Sequence, residues 1–124
     1  DPVIDVSDSE LVIMNALWRR SPMRSGEIVE AISATRSWHK KTVNTLIRRL
    51  VDKGAIQYDK SPGAYLYYPA IDKDAYRVAK TTKLGSDLYD GKIAPMIATF
   101  AEADSLSDQD IAALEKVISE LSER

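Results

Sequence analysis

The sequence predicts a mainly α chain: a winged helix-turn-helix of three helices plus a β-hairpin wing, followed by a helical dimerisation region. Three observations carry that expectation. Apolar residues recur at helical spacing in three short runs before Gly54. The period then drops to two over residues 55–68, where aromatic residues flank a turn. Helical spacing resumes after Asp72. The expected domains are residues 1–71, the winged helix, and 72–124, the dimerisation part.

Ser7-Asp8-Ser9-Glu10 reads as a capping box, a hydroxyl and a carboxylate three residues apart that each satisfy an orphan backbone N–H. Leu11, Met14, Leu17 and Trp18 follow on one face, with Ile13 beside them, until Pro22 stops the helix. Ser25 is expected to cap a short second helix with the stripe Ile28, Val29 and Ile32. Residues 33–37 are a polar connector. In the third helix Val43, Leu46, Ile47 and Leu50 make one buried stripe. Gly54 sits where a left-handed residue would end it, just after Lys53 places a cation near the negative end of the dipole. The other face carries Lys41, Asn44, Thr45, Arg48 and Asp52.

Ala55-Ile56-Gln57-Tyr58 and Tyr65-Leu66-Tyr67-Tyr68 are strand-like, with residues 59–63 as the expected turn and Pro69 closing the second strand. Beyond Asp72, Tyr76, Ala79, Leu84 and Leu88 are loosely periodic, and Gly91 interrupts. Ile93, Met96, Ile97 and Phe100 form a further stripe, with Pro95 tolerated in a first turn. Ser107 and Asp110 form a second capping box ahead of Ile111, Leu114, Ile118 and Leu121. About fifty residues bearing such stripes bury too little alone, so a second copy of the same region is their simplest partner. The expected dimerisation residues are Leu84, Leu88, Ile93, Ile97, Phe100, Ile111, Leu114, Ile118 and Leu121.

Composition narrows the function. There is no cysteine and one histidine among 124 residues. Disulfides and thiolate metal sites are therefore excluded, a Ser-His-Asp triad is hard to build, and no cofactor or metal is expected. No apolar run spans a bilayer and no secretory leader opens the chain, so membrane insertion is not expected and a cytoplasmic location is. The net charge of −2 hides a gradient. Residues 36–60 hold seven lysines and arginines against Asp52 and Asp59, a local +5, whereas residues 71–124 hold seven against eleven acids, −4. A basic segment inside an acidic chain is the footprint of a nucleic-acid binder.

The order of elements gives that segment a geometry. The third helix holds to the other two through its stripe and offers its outer face to a major groove. Arg and Lys pair with phosphate or guanine, Asn44 addresses adenine, and Thr42 and Thr45 reach phosphate or a thymine methyl. Lys40, Lys41 and Thr42 also lie in the first turn, where free N–H groups favour a phosphate. Other residues have plainer readings. Arg49 borders the buried stripe and is expected in an internal ion pair rather than on DNA. His39 is read as a capping or phosphate-adjacent residue, although imidazole caps poorly and Ser37 is an alternative. Trp18 is read as core and Trp38 as interhelical packing. One or two of Tyr65, Tyr67 and Tyr68 should pack against the helices rather than stack on bases. The acids Glu102, Asp104, Asp108 and Asp110 lack a calcium-loop pattern and fit capping better.

The residues also carry a resemblance. Val6–Glu10, Ile13–Trp18, the string Lys41–Leu50 running into Lys53-Gly54, Tyr65–Pro69, Leu88–Gly91, and Phe100 before Leu106-Ser107 resemble the penicillinase repressor family over residues 5–122. That family includes methicillin-resistance and copper-transport repressors. The resemblance implies a dimeric transcriptional repressor on a palindromic double-stranded DNA operator. DNA contacts are implied at Lys41, Thr42, Asn44, Thr45 and Arg48, with Lys60 and Tyr65 on the wing. It also implies antibiotic-resistance genes as targets and relief by a membrane-bound metalloprotease sensor. The bond cut in relatives, between Asn and Phe, matches Thr99–Phe100, and the Thr departs from the pattern. The cysteine-rich copper branch does not fit a chain without cysteine. Relatives often carry Ser-Pro where His39-Lys40 stands, and can carry Arg at Asn44. The alternatives are a winged-helix protein-interaction module, a repressor with a different inducing signal, and, with little support, a small hydrolase.

Overall fold

A computed structural model describes residues 4–123, and among them six helices and one two-stranded antiparallel sheet. The chain forms two compact units, divided between Ala79 and Lys80.

In the first unit, helix α1 spans Asp8–Arg19, α2 Ser25–Ser33 and α3 Lys40–Lys53. The first capping box closes as expected: the Ser7 hydroxyl accepts the Glu10 N–H at 3.1 Å, and the Glu10 carboxylate accepts the Ser7 N–H at 2.9 Å. Ser25 is not the cap of α2. Arg24 holds the N-cap position, and the Glu27 carboxylate three residues on accepts its N–H at 3.0 Å. The carboxylate half of a capping box thus starts the helix one residue early. His39 is the N-cap of α3 and makes no side-chain cap bond. Gly54, at φ 84°, ends α3, and the Ala55 N–H returns to the Leu50 carbonyl at 2.9 Å.

The three stripes meet in one core. Ile13, Met14 and Leu17 of α1, Ile28 and Ile32 of α2, and Val43, Leu46, Ile47 and Leu50 of α3 are buried together. Each such side chain contributes about 1.5–3 kcal/mol over leaving it in water. Trp18 and Trp38 pack against this core, half-buried. The Trp18 indole N–H donates to the Ile71 carbonyl at 3.1 Å, and its ring lies 5.7 Å from Tyr76.

Strands β1 (Ile56–Ser61) and β2 (Ala64–Pro69) form the hairpin. They run further than the sequence suggests. Asp59 pairs with Leu66 and Lys60 with Tyr65, which leaves Pro62-Gly63 as the turn, with Gly63 at φ 81°. Pro then Gly is the residue pattern of a type II turn, and pairing satisfies backbone groups that a longer loop would leave to water. A bridge also forms away from the hairpin. Met23 and Tyr67 exchange two backbone bonds of 2.9 and 2.8 Å, tying the α1–α2 connector to β2.

Helix α4 (Lys73–Tyr89) starts in the first unit, where Tyr76 is buried, and its later turns belong to the second. Asp90 and Gly91, both at positive φ, end it, and the Gly91 N–H returns to the Gly85 carbonyl at 2.9 Å. Helices α5 (Ile93–Glu102) and α6 (Asp108–Ser122) follow. The Ser107–Asp110 capping box opens α6, with both bonds at 3.0 Å. Those bonds to Ser107 hold the Asp110 carboxyl below its ordinary pKa. Neither α5 nor α6 has a buried residue.

Candidate nucleic-acid interface

Helix α3 buries one stripe, so the opposite face must look outward. Lys40, Lys41, Asn44, Thr45 and Arg48 are all exposed there and line one open concavity of about 520 Å³. Among the described residues, Lys40, Lys41, Arg48 and Arg49 make no ion pair. Arg49 is therefore not tied up internally as expected. It is exposed beside His39, Lys41, Thr42 and Thr45, which line the neighbouring concavity with it. Thr42 sits on that second side and Thr45 on both. The Thr45 hydroxyl donates to the Lys41 carbonyl at 2.9 Å, so its hydrogen is occupied while its methyl and lone pairs are not.

Lys53 leaves this face altogether. Its ammonium pairs with the Glu10 carboxylate and donates to the Asp5 carbonyl at 2.9 Å. The Glu10 side chain is only 3% exposed. Burial alone pushes the Glu10 carboxyl up, but the Lys53 ammonium and the Ser7 donors outweigh it and hold it below the usual carboxylate range. The sequence shows the charge of Lys53 and the capping role of Glu10 but not that the two meet, because α1 and α3 come together only in the fold.

The hairpin supplies a second wall. Alternation puts Tyr58 and Lys60 of β1 on the same face as Tyr65 and Tyr67 of β2. Tyr65 stands edge-on to Tyr58 at 5.1 Å, and Tyr67 lies 6.0 Å from Tyr58 and 6.5 Å from Tyr65. Tyr67 packs against the core, and Tyr65 remains 45% exposed. Burial, then the hydroxyls of Tyr65 and Tyr58, raise the Tyr67 pKa, and Arg48 partly offsets them. Tyr58, Tyr65 and Tyr67 line a concavity of about 550 Å³ together with Asn44 and Arg48 of α3. Tyr65 is thus brought to the exposed face of α3, whereas Lys60 lines none of these concavities. Tyr58 belongs to the group although its sequence pattern marks it only as a strand residue.

The penicillinase repressor family profile matches residues 6–120. The chain belongs to the penicillinase repressor family. As a member it is a DNA-binding transcriptional repressor and not an enzyme. The penicillinase repressor of Bacillus licheniformis is 32% identical over 115 residues, covering 93% of this chain and 90% of that protein. The methicillin resistance regulatory protein MecI of Mammaliicoccus sciuri is 27% identical, over 92% of this chain and 93% of its own length. The solution structure of the monomeric form of Bacillus licheniformis BlaI in complex with the blaP half-operator is similar with a TM-score of 0.53 and 33% identity. That likeness covers 60% of this chain and 92% of the other.

In this member of the penicillinase repressor family, the residues expected at a dimer contact lie in the second unit. Leu84, Leu88, Ile93, Phe100, Ile111, Ile118 and Leu121 are exposed, and Ile97 and Leu114 are half-buried. Ile97, Phe100, Leu106 and Leu114 line an apolar groove of about 560 Å³. The Thr99–Phe100 bond lies inside α5. The Thr99 hydroxyl donates to the Pro95 carbonyl at 3.0 Å and accepts from the Tyr89 hydroxyl at 2.9 Å, and its carbonyl accepts the Ala103 N–H at 3.0 Å. Among the described residues no helix is long and apolar enough to cross a membrane, and no cluster of His, Cys, Asp or Glu could hold a metal ion.

Proposed function

We propose that this repressor acts as a homodimer on a palindromic operator, with the outer face of α3 in the major groove of each half-site. The observation that carries the reading is the group on that face of cations without an ion pair among the described residues and of hydrogen-bonding side chains: Lys40, Lys41, Asn44, Thr45 and Arg48. In this reading Arg48 and Asn44 address base edges, while Lys40, Lys41 and Thr42 hold phosphate at the start of the helix. Lys60 and Tyr65 follow the backbone from the hairpin. The exposed apolar residues of α5 and α6 support a two-fold contact through the second unit, and two linked α3 helices call for an inverted repeat. The relatives' names support antibiotic-resistance genes as the regulated set.

Relief of repression by a membrane-bound metalloprotease is the matching induction step. Cutting Thr99–Phe100 would remove α6 from the second unit and weaken the dimer. The bond is held in a helix, so α5 must open before a protease can seat it in an extended form.

The test is enrichment of duplexes from a randomised pool, followed by binding at several salt concentrations. An inverted repeat is expected, with log affinity falling steeply as salt rises. Lys41→Ala with Arg48→Ala should weaken binding on the order of a hundredfold and flatten the salt slope by about 0.9, for the one phosphate that Lys41 neutralises. Unchanged affinity of that double variant would remove α3 from the interface. A salt-independent interaction would point to a protein partner instead.

A further inference from the structure

We infer that Tyr58 is an additional DNA contact, its hydroxyl donating to a phosphate oxygen where the backbone runs between α3 and the hairpin. The inference rests on the operator-binding reading above and extends it to a residue that reading does not use. Tyr58 is a large aromatic side chain in mid-strand, yet 48% of it is exposed, and it lies directly opposite Tyr67 in the register. The core does not account for it, since Tyr67 alone of the pair packs there.

What holds Tyr58 is the aromatic cluster. Tyr67 is anchored against the core beneath, and Tyr65 meets Tyr58 edge-on at 5.1 Å. An edge-on pair fixes ring direction as well as contact, so the Tyr58 ring is preorganised rather than free to sweep through solvent. The ring lines the same concavity as Asn44 and Arg48 on the α3 face. The α3 wall of that space carries a guanidinium and an amide beside Ile47 and Val51, and the hairpin wall is three phenols. A passing DNA strand offers the matching chemistry. A phosphate takes the hydroxyl hydrogen, the deoxyribose rests on the aromatic edges, and Arg48 and Asn44 reach past it to the base edges. A two-stranded wing that was only a spacer would gain nothing from presenting three tyrosines to the recognition helix.

The experiment uses the full chain and the duplex that the wild-type protein enriches. If the wild type enriches no duplex, the operator-binding reading fails and Tyr58 falls with it. If it does, Tyr58→Phe, which deletes only the hydroxyl, should weaken binding about tenfold, as a lost hydrogen bond to a charged group does. The salt slope should stay the same, because no charge is removed. Tyr58→Lys should restore affinity and steepen the slope by about 0.9, one more phosphate neutralised. Gln57→Ala, on the opposite face of the hairpin, should bind as the wild type does. Wild-type affinity for Tyr58→Phe, with no change of slope for Tyr58→Lys, would overturn the inference while leaving α3 in place. Equal melting curves for the variants keep a folding defect from imitating the loss.

Discussion

The two units of this chain use the same kinds of amphipathic helix and treat their apolar residues in opposite ways. In the first unit the stripes of α1, α2 and α3 close on one another, and Ile13, Met14, Leu17, Ile28 and Leu50 are fully buried. In the second, Leu88, Ile93, Phe100, Ile118 and Leu121 remain exposed, and α5 and α6 bury nothing. The spacing of apolar residues is helical in both. The difference lies in whether a single chain provides the facing surface. The first unit is complete in itself and carries charge on its outer face. The second leaves an apolar face exposed, the surface that the proposed dimer would use.

The largest test of that contrast is truncation in each unit. Leu17→Ala should cost about 3 kcal/mol or more in denaturant unfolding, from lost burial plus a cavity. Phe100→Ser should leave the unfolding of the first unit unchanged and instead shift the sedimentation profile toward monomer. The same asymmetry is readable by hydrogen exchange. Amides of α6 should lose protection on a dilution of about a hundredfold, because a contact between copies follows mass action, while those of α3 should not. Concentration-independent protection of α6 would break the comparison and the dimer with it.

A smaller effect is expected at the Glu10–Lys53 pair, which locks the end of α3 to the start of α1. Removing Lys53 strands a buried carboxylate, so Lys53→Ala should cost about 2–3 kcal/mol, less than breaking a fully buried pair because Lys53 is partly exposed. The pair also sets a pH dependence. The folded Glu10 carboxyl lies below its usual value of 4.5. Its stabilisation is therefore present above that value and lost as pH falls through the lower, folded one. Glu10→Gln should flatten the acid limb of the stability curve, and an identical limb in both proteins would contradict the assignment.

The smallest effect separates the two capping boxes. Ser7→Ala should destabilise the first unit by about 1 kcal/mol. Ser107→Ala should only fray the start of α6, read as faster exchange at the Asp110 amide.

Much of this was legible in the chain itself. Val43, Leu46, Ile47 and Leu50 at helical spacing, ended by Gly54, define α3 and leave Lys41, Asn44, Thr45 and Arg48 outward by geometry alone. Ser7 with Glu10 and Ser107 with Asp110 mark helix starts, because a capping box is a contact between residues three apart. What the sequence could not decide depends on residues distant in the chain. Lys53 counts as a cation of the basic segment until α1 brings Glu10 to it, and its charge is then spent inside. Arg49 borders a buried stripe in the sequence but turns out exposed and, among the described residues, without an ion pair. The Met23–Tyr67 bridge has no local signal. Tyr58 reads as one strand residue among several until the antiparallel register sets it beside Tyr65 and across from Arg48. Local spacing determined the helices, their ends and the face that carries charge, since those follow from backbone periodicity. Only the tertiary structure decided which charges stay free and which aromatics join the face, since both depend on what the fold brings within a few ångströms.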